Sequence, residues 1–398
     1  MNTQLSRDFK QHIAWTSDTP LGLVVESASG PFIHLADGKR LIDFISGIAV
    51  SSIGHRHPHV LAAVRAQLER HLHVMVYGEL VQRPQVALAR ALTVQLPEVL
   101  DTVYFTMTGT EANEGALKLA KKYTGRTKLV AFERSYHGDT HGSLSVTGRS
   151  VYQDPFRPLL PNVEFLPFGD VAALSAINAE AACVITEPIQ GEGGMRVPSR
   201  LWMQVLRDKC TENGTLLIFD EVQTGFGRTG RLFAFEQFGV VPDVLTLAKA
   251  MGGGMPLGAF VSSAKIMDTL RRNPPLSHVT TFGGHPVSCA AASGALAVLL
   301  NEGLPARAIE LEEHIRARLQ HNLIVEIRGM GAMMGMELSS SRAAEEVARY
   351  CLNHGLLLGW TLHSDRVVRL APPLNVPLEV LDEALDIMLS ALHQVVQP

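Results

Sequence analysis

Six short runs of almost entirely apolar residues dominate the sequence between about residues 60 and 285. The runs are VYFTM, KLVAF, ACVIT, TLLIF, DVLTLA and GAFVSS. They predict strands buried on both faces, because a strand with one solvated face alternates apolar and polar residues. Segments with helical spacing, such as HPHVLAAVRAQLERHL and RLWMQVLRDKCTENG, lie between them. The alternation predicts a parallel or mixed sheet with covering helices, which defines an α/β domain.

The pattern changes at about residue 286, where two long helical segments precede the shorter strand-like runs IVEIRG, GMELS and VVRLAPP. We interpret this part as a smaller α+β domain, completed by the strand-like stretch near the N-terminus. The 398 residues suffice for two domains of ordinary size. The predicted division is an N-terminal segment of the small domain at 1–50, a large domain at 51–285 and a C-terminal small domain at 286–398.

The balance of charges excludes a basic nucleic-acid surface, since 35 basic residues face 39 acidic ones. The four cysteines are widely spaced and form no CxxC pair, which indicates buried or inert thiols in a reducing compartment and no metal site. The first residues lack the apolar core of a signal peptide, and no apolar run approaches the roughly 20 residues that span a bilayer. We therefore expect a cytoplasmic protein without a membrane partner.

A turn between a strand and a helix is the first candidate for chemistry. Thr108, Gly109 and Thr110 follow the run VYFTM and precede a helical segment. Backbone N–H groups and the helix dipole at such a turn can hold a phosphate. The alternative is an ordinary capped helix start.

Two charged residues at strand ends are the other candidates. Asp220 ends the run TLLIF, where a carboxylate is costly unless it is paired, for example with a protonated heterocycle. Lys249 ends the run DVLTLA and is close to three consecutive glycines. A Schiff-base lysine needs such an apolar setting, because the neutral amine is the nucleophile. The alternatives are a turn aspartate and a lysine that extends from a strand end into solvent.

The segment GFGRTG matches the dinucleotide-binding pattern G-x-G-x-x-G only weakly. That pattern requires glycines that open a helix and an acidic residue at the end of the next strand. Here the following residues are rich in aromatic side chains, and Asp243 precedes its apolar run. The sequence therefore argues against a nicotinamide cofactor.

Together, the phosphate turn, the strand-end carboxylate and the strand-end lysine suit pyridoxal phosphate, a phosphorylated pyridine aldehyde. Eight motifs carry a wider resemblance: LIDFISGIAVSSIGHRHP, TGTEANEGALKLA, YHGDT, EPIQGEGG, FDEVQTGFGRTG, LAKAMGGGMPLGA, TTFGGHP and VVRLAPPL. In this order they make the chain similar, over nearly its whole length, to the class III (ornithine/acetylornithine/4-aminobutyrate-type) aminotransferases. The resemblance implies the aspartate-aminotransferase-like fold (fold type I), with a large domain around a mainly parallel sheet and a smaller α+β domain.

The resemblance also implies the cofactor contacts. Gly109 and Thr110 would bind the phosphate of pyridoxal phosphate, and Tyr136 and His137 would form one wall beside its ring. Thr281 would reach the phosphate of the neighbouring subunit's cofactor. This implies a homodimer with shared active sites.

The remaining cofactor residues follow the two central motifs. Asp220 would pair with the ring nitrogen, Val222 would pack on the opposite ring face, and Gln223 would contact the ring hydroxyl. Lys249 would hold the cofactor as a Schiff base and then act as base and acid in the proton shift. The implied reaction moves an amino group from an amino-acid or amine donor to a 2-oxo acid, in this family 2-oxoglutarate, by a ping-pong mechanism.

Two charged residues would bind the substrate. By similarity, Arg369 would bind a substrate carboxylate through its planar guanidinium. Glu192 would act as a gate that pairs with this arginine when the donor has no carboxylate there. The alternative for Glu192 is a solvated loop acid.

The sequence departs from the family pattern at Asp139, where the three substrate classes named above usually have arginine. An aspartate would repel the donor's far carboxylate, which argues against these substrates although the GIAV segment is similar to the acetylornithine branch. Tyr77 and Glu79 occupy the region that lines the substrate entrance. With Asp139, Glu79 would select a donor with a second amino group; alternatively both acids pair with Arg83 or Arg134.

Two other functions use the same features. One is a different reaction on the same scaffold, a decarboxylating transaminase or an aminomutase. The other is a cofactor-binding protein retained for interaction or regulation, although the presence of both Lys249 and Asp220 favours catalysis.

Overall fold

The structure is a computed structural model that describes residues 3–361 and 364–395. The α-helices are Thr3–His12, Ser46–Ala49, Pro58–Leu68, Arg83–Thr93, Gly109–Thr124, His141–Ser145, Ser150–Gln153, Arg200–Asn213, Phe235–Phe238, Ala264–Met267, Pro286–Asn301, Leu304–Arg318, Ser341–Asn353 and Leu378–Gln394. Short 3₁₀ helices are Asp154–Phe156, Ala172–Ala176, Lys249–Gly252 and Asp268–Arg271. The strands are Val25–Ser29, Phe32–Leu35, Arg40–Asp43, Thr102–Thr106, Lys128–Phe132, Val163–Leu166, Ala181–Thr186, Leu216–Asp220, Val244–Leu247, Gly258–Ser262, Ile324–Met330, Met333–Leu338, Leu356–Leu357, Gly359–Thr361 and Ser364–Leu370.

A seven-stranded sheet contains all six of the predicted buried strands. Its order is Thr102–Thr106, Gly258–Ser262, Val244–Leu247, Leu216–Asp220, Ala181–Thr186, Lys128–Phe132 and Val163–Leu166. Gly258–Ser262 is antiparallel to both of its neighbours, and the other six strands share one direction. The prediction of a mainly parallel sheet in an α/β fold is confirmed. The edge strand Val163–Leu166 was missed, because its sequence VEFL is interrupted by a glutamate and forms no continuous apolar run.

Alternation along the central strands explains why they are apolar throughout. Leu217 and Phe219 pack into the core on one face of the sheet, whereas Leu216 and Ile218 pack into the core on the other face. Burial of each such side chain stabilises the fold by about 1.5–3 kcal/mol. The four cysteines, Cys183, Cys210, Cys289 and Cys351, are also free and buried, as predicted.

Two smaller four-stranded sheets join the ends of the chain. The three N-terminal strands form one sheet with Leu356–Leu357, whose residue Leu356 pairs with Ile42. The strands Ile324–Met330, Met333–Leu338, Ser364–Leu370 and Gly359–Thr361 form the other. Pro286–Asn301 packs on the helices Pro58–Leu68 and Arg83–Thr93 and on the turn at Lys249–Gly252. The domain limits at 50 and 285 stay a prediction.

Membrane-spanning potential is low for each helix taken alone. Within residues 3–361 and 364–395, no single helix combines the length and the apolar character needed to cross a bilayer. The helices Pro286–Asn301 and Leu304–Arg318 meet both criteria only as a pair, and the chain bends by 64° between them.

Candidate active site

The carboxyl ends of the parallel strands meet at one edge of the large sheet, where a cavity of about 610 Å³ opens. Ligands of open α/β sheets bind at this edge. Ten of the residues singled out from the sequence line the cavity: Thr108, Gly109, Thr110, Tyr136, His137, Asp139, Asp220, Val222, Gln223 and Lys249. The sheet therefore brings together residues that are up to 141 positions apart in the sequence.

A capping box forms the start of the helix Gly109–Thr124. The Thr108 hydroxyl accepts a hydrogen bond from Glu111 N at 3.2 Å, and the Glu111 carboxylate accepts one from Met107 N at 2.7 Å. The N–H groups of Gly109 and Thr110 lie in the first turn, where no helical carbonyl is in reach. These donors and the helix dipole provide a phosphate cradle at the cavity wall.

Two glycines allow the close approach of chain segments at this cradle. A Cβ atom on Gly109 would lie 2.8 Å from Val222 Cγ1, closer than real contacts permit. Gly138 has a φ of +125°, and a Cβ atom there would collide with the Thr110 side chain. The Thr110 hydroxyl is 2.7 Å from that of Thr140, which fixes the loop after Tyr136 against the helix start.

A buried hydrogen-bond network holds Asp220. One carboxylate oxygen, Oδ2, accepts hydrogen bonds from His137 Nδ1 at 2.7 Å and Asn113 Nδ2 at 2.8 Å. The other, Oδ1, accepts one from Val222 N at 3.0 Å. The side-chain oxygen of Asn113, Oδ1, in turn accepts a hydrogen bond from the Thr246 hydroxyl at 2.7 Å. These contacts orient the carboxylate at the cavity, where it can pair with a cationic ring nitrogen.

Lys249 is separated from the end of the strand Val244–Leu247 by Ala248 alone and lies partly exposed in the cavity. Its φ of +49° is left-handed, a conformation that costs a non-glycine residue energy and is concentrated at functional sites. Burial lowers the pKa of the Lys249 amine, and the charge of Arg369 lowers it further, against the opposite effects of Glu192, Asp220 and Glu187. The net shift favours the neutral, nucleophilic amine.

Tyr136 stands at the opening of the cavity between two acids. Its hydroxyl donates a hydrogen bond to Asp139 Oδ2 at 3.0 Å, and its backbone N–H donates one to Glu187 Oε2 at 3.2 Å. Burial raises the pKa of the Tyr136 hydroxyl, and Asp139 raises it further. Burial also raises the pKa of Glu187 to about 7, with a further increase from Asp220 and opposing effects from His137 and backbone donors.

Glu192 and Arg369 form a buried ion pair through Oε1 and Nη2. Arg369 lies on the strand Ser364–Leu370 and Glu192 in the loop after Ala181–Thr186, so the pair connects the C-terminal sheet with the large sheet. The structure thus brings together Arg369 and Glu192, two of the residues that the sequence assigned to substrate binding. They do not line the 610 Å³ cavity itself.

Three residues singled out from the sequence lie on the surface of the chain and outside this cavity. Tyr77, Glu79 and Thr281 are exposed. Their two segments are neighbours, because the rings of His73 and Phe282 lie 5.1 Å apart. A single copy of the chain does not bring these residues to its own cavity.

Some polar residues at the site were not singled out from the sequence, among them Asn113, Glu187 and Thr246. Asn113 and Glu187 stand inside the motifs TGTEANEGALKLA and EPIQGEGG, where a polar residue beside buried apolar positions was a usable signal. Thr246 lies within a buried strand and gave no such signal.

Pyridoxal phosphate fits this arrangement. The helix start offers free N–H donors for a phosphate, Asp220 offers a fixed carboxylate for a pyridinium, and Lys249 offers an amine with a lowered pKa. The segment GFGRTG contributes to packing between parts of the chain, because its Arg228 is buried and donates hydrogen bonds to Ala332 O and Pro372 O.

Comparison with known proteins agrees with this fit. The family described as "Aminotransferase class-III" matches residues 13–392. The acetylornithine aminotransferase of Methanopyrus kandleri is 42% identical over 390 residues, which cover 96% of this chain and 97% of that protein. The putrescine aminotransferase of Pectobacterium atrosepticum is 39% identical, with 94% and 84% covered. The structure of the ornithine aminotransferase of Toxoplasma gondii with partially occupied pyridoxal phosphate has a TM-score of 0.91 at 31% identity, with 99% and 95% covered.

The fold and these similarities define an enzyme of fold type I that uses pyridoxal phosphate. The chain belongs to the class III aminotransferases. It catalyses the transfer of an amino group from a donor to a 2-oxo acid. The sequence-based predictions of family, cofactor and reaction are confirmed.

Proposed function

We propose that the amino donor is a diamine of the putrescine type, and that Asp139 binds its second ammonium group. The observation that carries this proposal is the Asp139 carboxylate at the cavity wall. This carboxylate accepts a hydrogen bond from the Tyr136 hydroxyl at 3.0 Å, and a neutral hydroxyl leaves its negative charge available to an ammonium group. A relative named putrescine aminotransferase at 39% identity supports the same donor class.

The ion pair between Glu192 and Arg369 also supports a donor without a carboxylate at this position. While the pair is closed, Glu192 neutralises the guanidinium, and a diamine leaves the pair intact. The 2-oxo acid acceptor, which we propose is 2-oxoglutarate, brings a carboxylate that takes the place of Glu192. Arginine suits this exchange, because its planar guanidinium binds carboxylates through two parallel hydrogen bonds.

We propose the following roles for the residues of the site. Gly109 and Thr110 bind the phosphate, Asp220 keeps the ring nitrogen protonated, and Lys249 anchors the aldehyde and then carries the transferred proton. Pyridoxal phosphate supplies an aldehyde that condenses with amines and a protonated ring that withdraws electrons. Tyr136 and His137 on one side and Val222 on the other hold the ring and limit the access of water, and Gln223 hydrogen-bonds the ring hydroxyl.

We also propose a homodimer with shared active sites. Thr281 lies in an exposed segment that includes the apolar side chains Leu276, Val279 and Phe282, and the neighbouring segment with Tyr77 and Glu79 exposes Leu72, Leu80 and Val81. Contiguous exposed apolar surface of this kind is typical of an interface. A dimer mass in light scattering, and recovery of activity when Lys249→Ala is mixed with a Thr281 variant, would support the arrangement. An active monomer would contradict it.

We also propose that the protein is located in the cytoplasm, the reducing compartment predicted from its cysteines. All four thiols are free and buried, which agrees with a cytoplasmic location. Cell fractionation with an antibody against the protein tests it, and recovery in an oxidising compartment would contradict it.

The substitution Asp139→Asn tests the donor proposal. We expect kcat/KM for putrescine to fall about tenfold, because one charge interaction with the donor is lost. N-acetylornithine should lose nothing, since its far end carries a carboxylate near the same position. Glu98→Gln, an exposed acid far from the cavity, is the matched control.

A second candidate donor is N-acetylornithine, because a relative at 42% identity has the name acetylornithine aminotransferase. The same assay separates the two donors. If the ranking of putrescine and N-acetylornithine is the same in wild type and Asp139→Asn, the role proposed for Asp139 is wrong. If neither is a donor but a dialkylglycine releases CO₂, or turnover needs no second oxo acid, the decarboxylating transaminase or the aminomutase replaces the proposal.

A further inference from the structure

A second cleft, of about 530 Å³, lies between the loop after Glu192 and the strand Ser364–Leu370. Five arginines from separate parts of the chain line it: Arg134, Arg149, Arg196, Arg328 and Arg366. We call it the arginine cleft. It shares no lining residue with the cavity at Lys249.

The walls of the arginine cleft carry an excess of positive charge. Against the five guanidinium groups, the cleft contains two carboxylates, Glu133 and Glu337. Glu337 contacts Arg328 Nη1 at 2.6 Å and Arg366 Nη2 at 3.3 Å, so it compensates these two arginines in part. Glu326, outside the lining, also contacts Arg328 Nη1, at 2.7 Å. Its pKa is lowered by the hydrogen bond from Arg328, as expected for a carboxylate among cations.

Arg196 contributes its guanidinium to the wall of the arginine cleft. Its Nε donates a hydrogen bond to Gly193 O at 3.1 Å, and among the described residues no carboxylate forms an ion pair with it. Burial lowers the pKa of Arg196, and the charges of Arg134 and Arg328 lower it further, against the smaller opposing effects of Glu337 and Glu326. Like charges are thus held together at a cost that a bound anion would remove.

The lining also defines the chemistry of a ligand. Apart from the arginines and the two glutamates, the described lining residues are glycines and serines, so no apolar wall is present for a hydrophobic molecule. Guanidinium groups bind phosphate and carboxylate oxygens through pairs of parallel hydrogen bonds. The volume is in the range of small-molecule sites. The cleft therefore suits a compact anion with several negative groups.

We propose that the arginine cleft is a binding site for a small oxyanion with two or more phosphate or carboxylate groups, separate from the cofactor site. The ligand would connect the loops of the large sheet, which carry Arg134 and Arg196, with the C-terminal sheet, which carries Arg328 and Arg366. Because it binds the folded arrangement alone, it would raise the melting temperature, and the stabilisation would grow with the logarithm of the ligand concentration above Kd.

Calorimetric titration of the enzyme saturated with pyridoxal phosphate tests this proposal. The probes are inorganic pyrophosphate and citrate, each against sodium chloride of equal ionic strength. We expect saturable binding of at least one probe, with a Kd of about 100 µM or lower and a rise in melting temperature. Binding of pyrophosphate alone identifies phosphate groups as the ligand chemistry, and binding of citrate alone identifies carboxylates.

Two substitutions locate the anion. Arg196→Gln and, independently, Arg149→Gln should each weaken binding about tenfold, whereas the exposed control Arg342→Gln should leave it unchanged. The visible spectrum of the bound cofactor verifies that each variant is folded. The proposal is overturned if neither probe saturates, if Arg342→Gln weakens binding as much as Arg196→Gln, or if binding is lost in Arg369→Gln but not in the cleft variants.

Discussion

The cofactor side and the donor side of the site differ in how their residues are held. On the cofactor side, Asp220 is only 4% exposed. Its carboxylate accepts hydrogen bonds from His137, Asn113 and Val222 N. On the donor side, Tyr77 is 38% exposed and Glu79 also lies on the surface. Only Asp139 of the proposed donor contacts lies at the cavity wall of the same chain.

This difference teaches which part of the function one chain can specify. The buried network fixes the position of a charge against a cofactor, and low-dielectric surroundings strengthen each of its hydrogen bonds. The donor side has few such constraints, because exposed side chains interact weakly until a ligand or a second copy covers them. The reaction is therefore more strongly determined by the fold than the choice of donor.

Replacement of Asp220 by asparagine should have the largest effect of the variants that sharpen this comparison. The amide keeps the size of the side chain but removes the charge proposed to hold the ring nitrogen protonated. We expect kcat to fall by about 10²–10³-fold in both half-reactions, measured by single-turnover absorbance. Thr246→Val, which removes one more distant hydrogen bond of the network, should give a smaller loss in the same direction. If kcat of Asp220→Asn were within twofold of the wild-type value, the role proposed for the Asp220 charge would be wrong.

Replacement of Glu192 by glutamine should affect the two half-reactions unequally. Without the carboxylate, the buried guanidinium of Arg369 is not neutralised when a cationic diamine enters. We expect kcat/KM for putrescine to fall about tenfold, because a desolvated charge is left unpaired. The half-reaction with 2-oxoglutarate should change much less, since its carboxylate replaces Glu192 anyway. Equal losses of kcat/KM in both half-reactions would contradict the role of Glu192 as a gate.

A smaller effect is expected for Glu187 in the pH dependence of stability. Its pKa rises from 4.5 to about 7 in the folded protein, so the folded state binds more protons than the unfolded state between these pH values. The stability it contributes is fully present below about pH 4.5 and is lost as the pH rises through about 7. The total is on the order of 3 kcal/mol.

The variant Glu187→Gln has no titrating group at this position. The difference in melting temperature between wild type and Glu187→Gln should therefore shrink or change sign from pH 5 to pH 8. Both proteins are compared at each pH, so that the titration of other groups cancels. A difference that stays constant over this range would show that Glu187 titrates normally.

The comparison of the two sides also explains how far the sequence could predict the site. Asp220 and Lys249 stood out because each ends a continuous apolar run, and the parallel sheet then places such strand ends at one edge. Thr246 was missed because a single threonine inside a buried strand has no distinguishing pattern. The edge strand Val163–Leu166 was missed as well, because Glu164 interrupts its four residues and leaves no continuous apolar run.

The donor side was less predictable for a physical reason. Asp139 was noted because it differs from the usual arginine, and the structure adds its contact with Tyr136. Glu79 was predicted to join Asp139 in one pocket, but in this chain it lies outside the cavity at Lys249. Its relation to a site depends on how two copies associate, and no periodicity within one sequence encodes this. That part of the hypothesis now rests on the proposed homodimer.

The visible absorbance of the enzyme loaded with pyridoxal phosphate tests the central claim most directly. Putrescine should bleach the band of the bound cofactor in wild type, and 2-oxoglutarate should restore it. In Lys249→Ala the resting band should be altered and the cycle should slow by about 10⁴-fold, because both the anchor and the proton carrier are lost. A wild-type band that responds to no amine, or a Lys249→Ala variant that completes the cycle at a rate near wild type, would contradict the account.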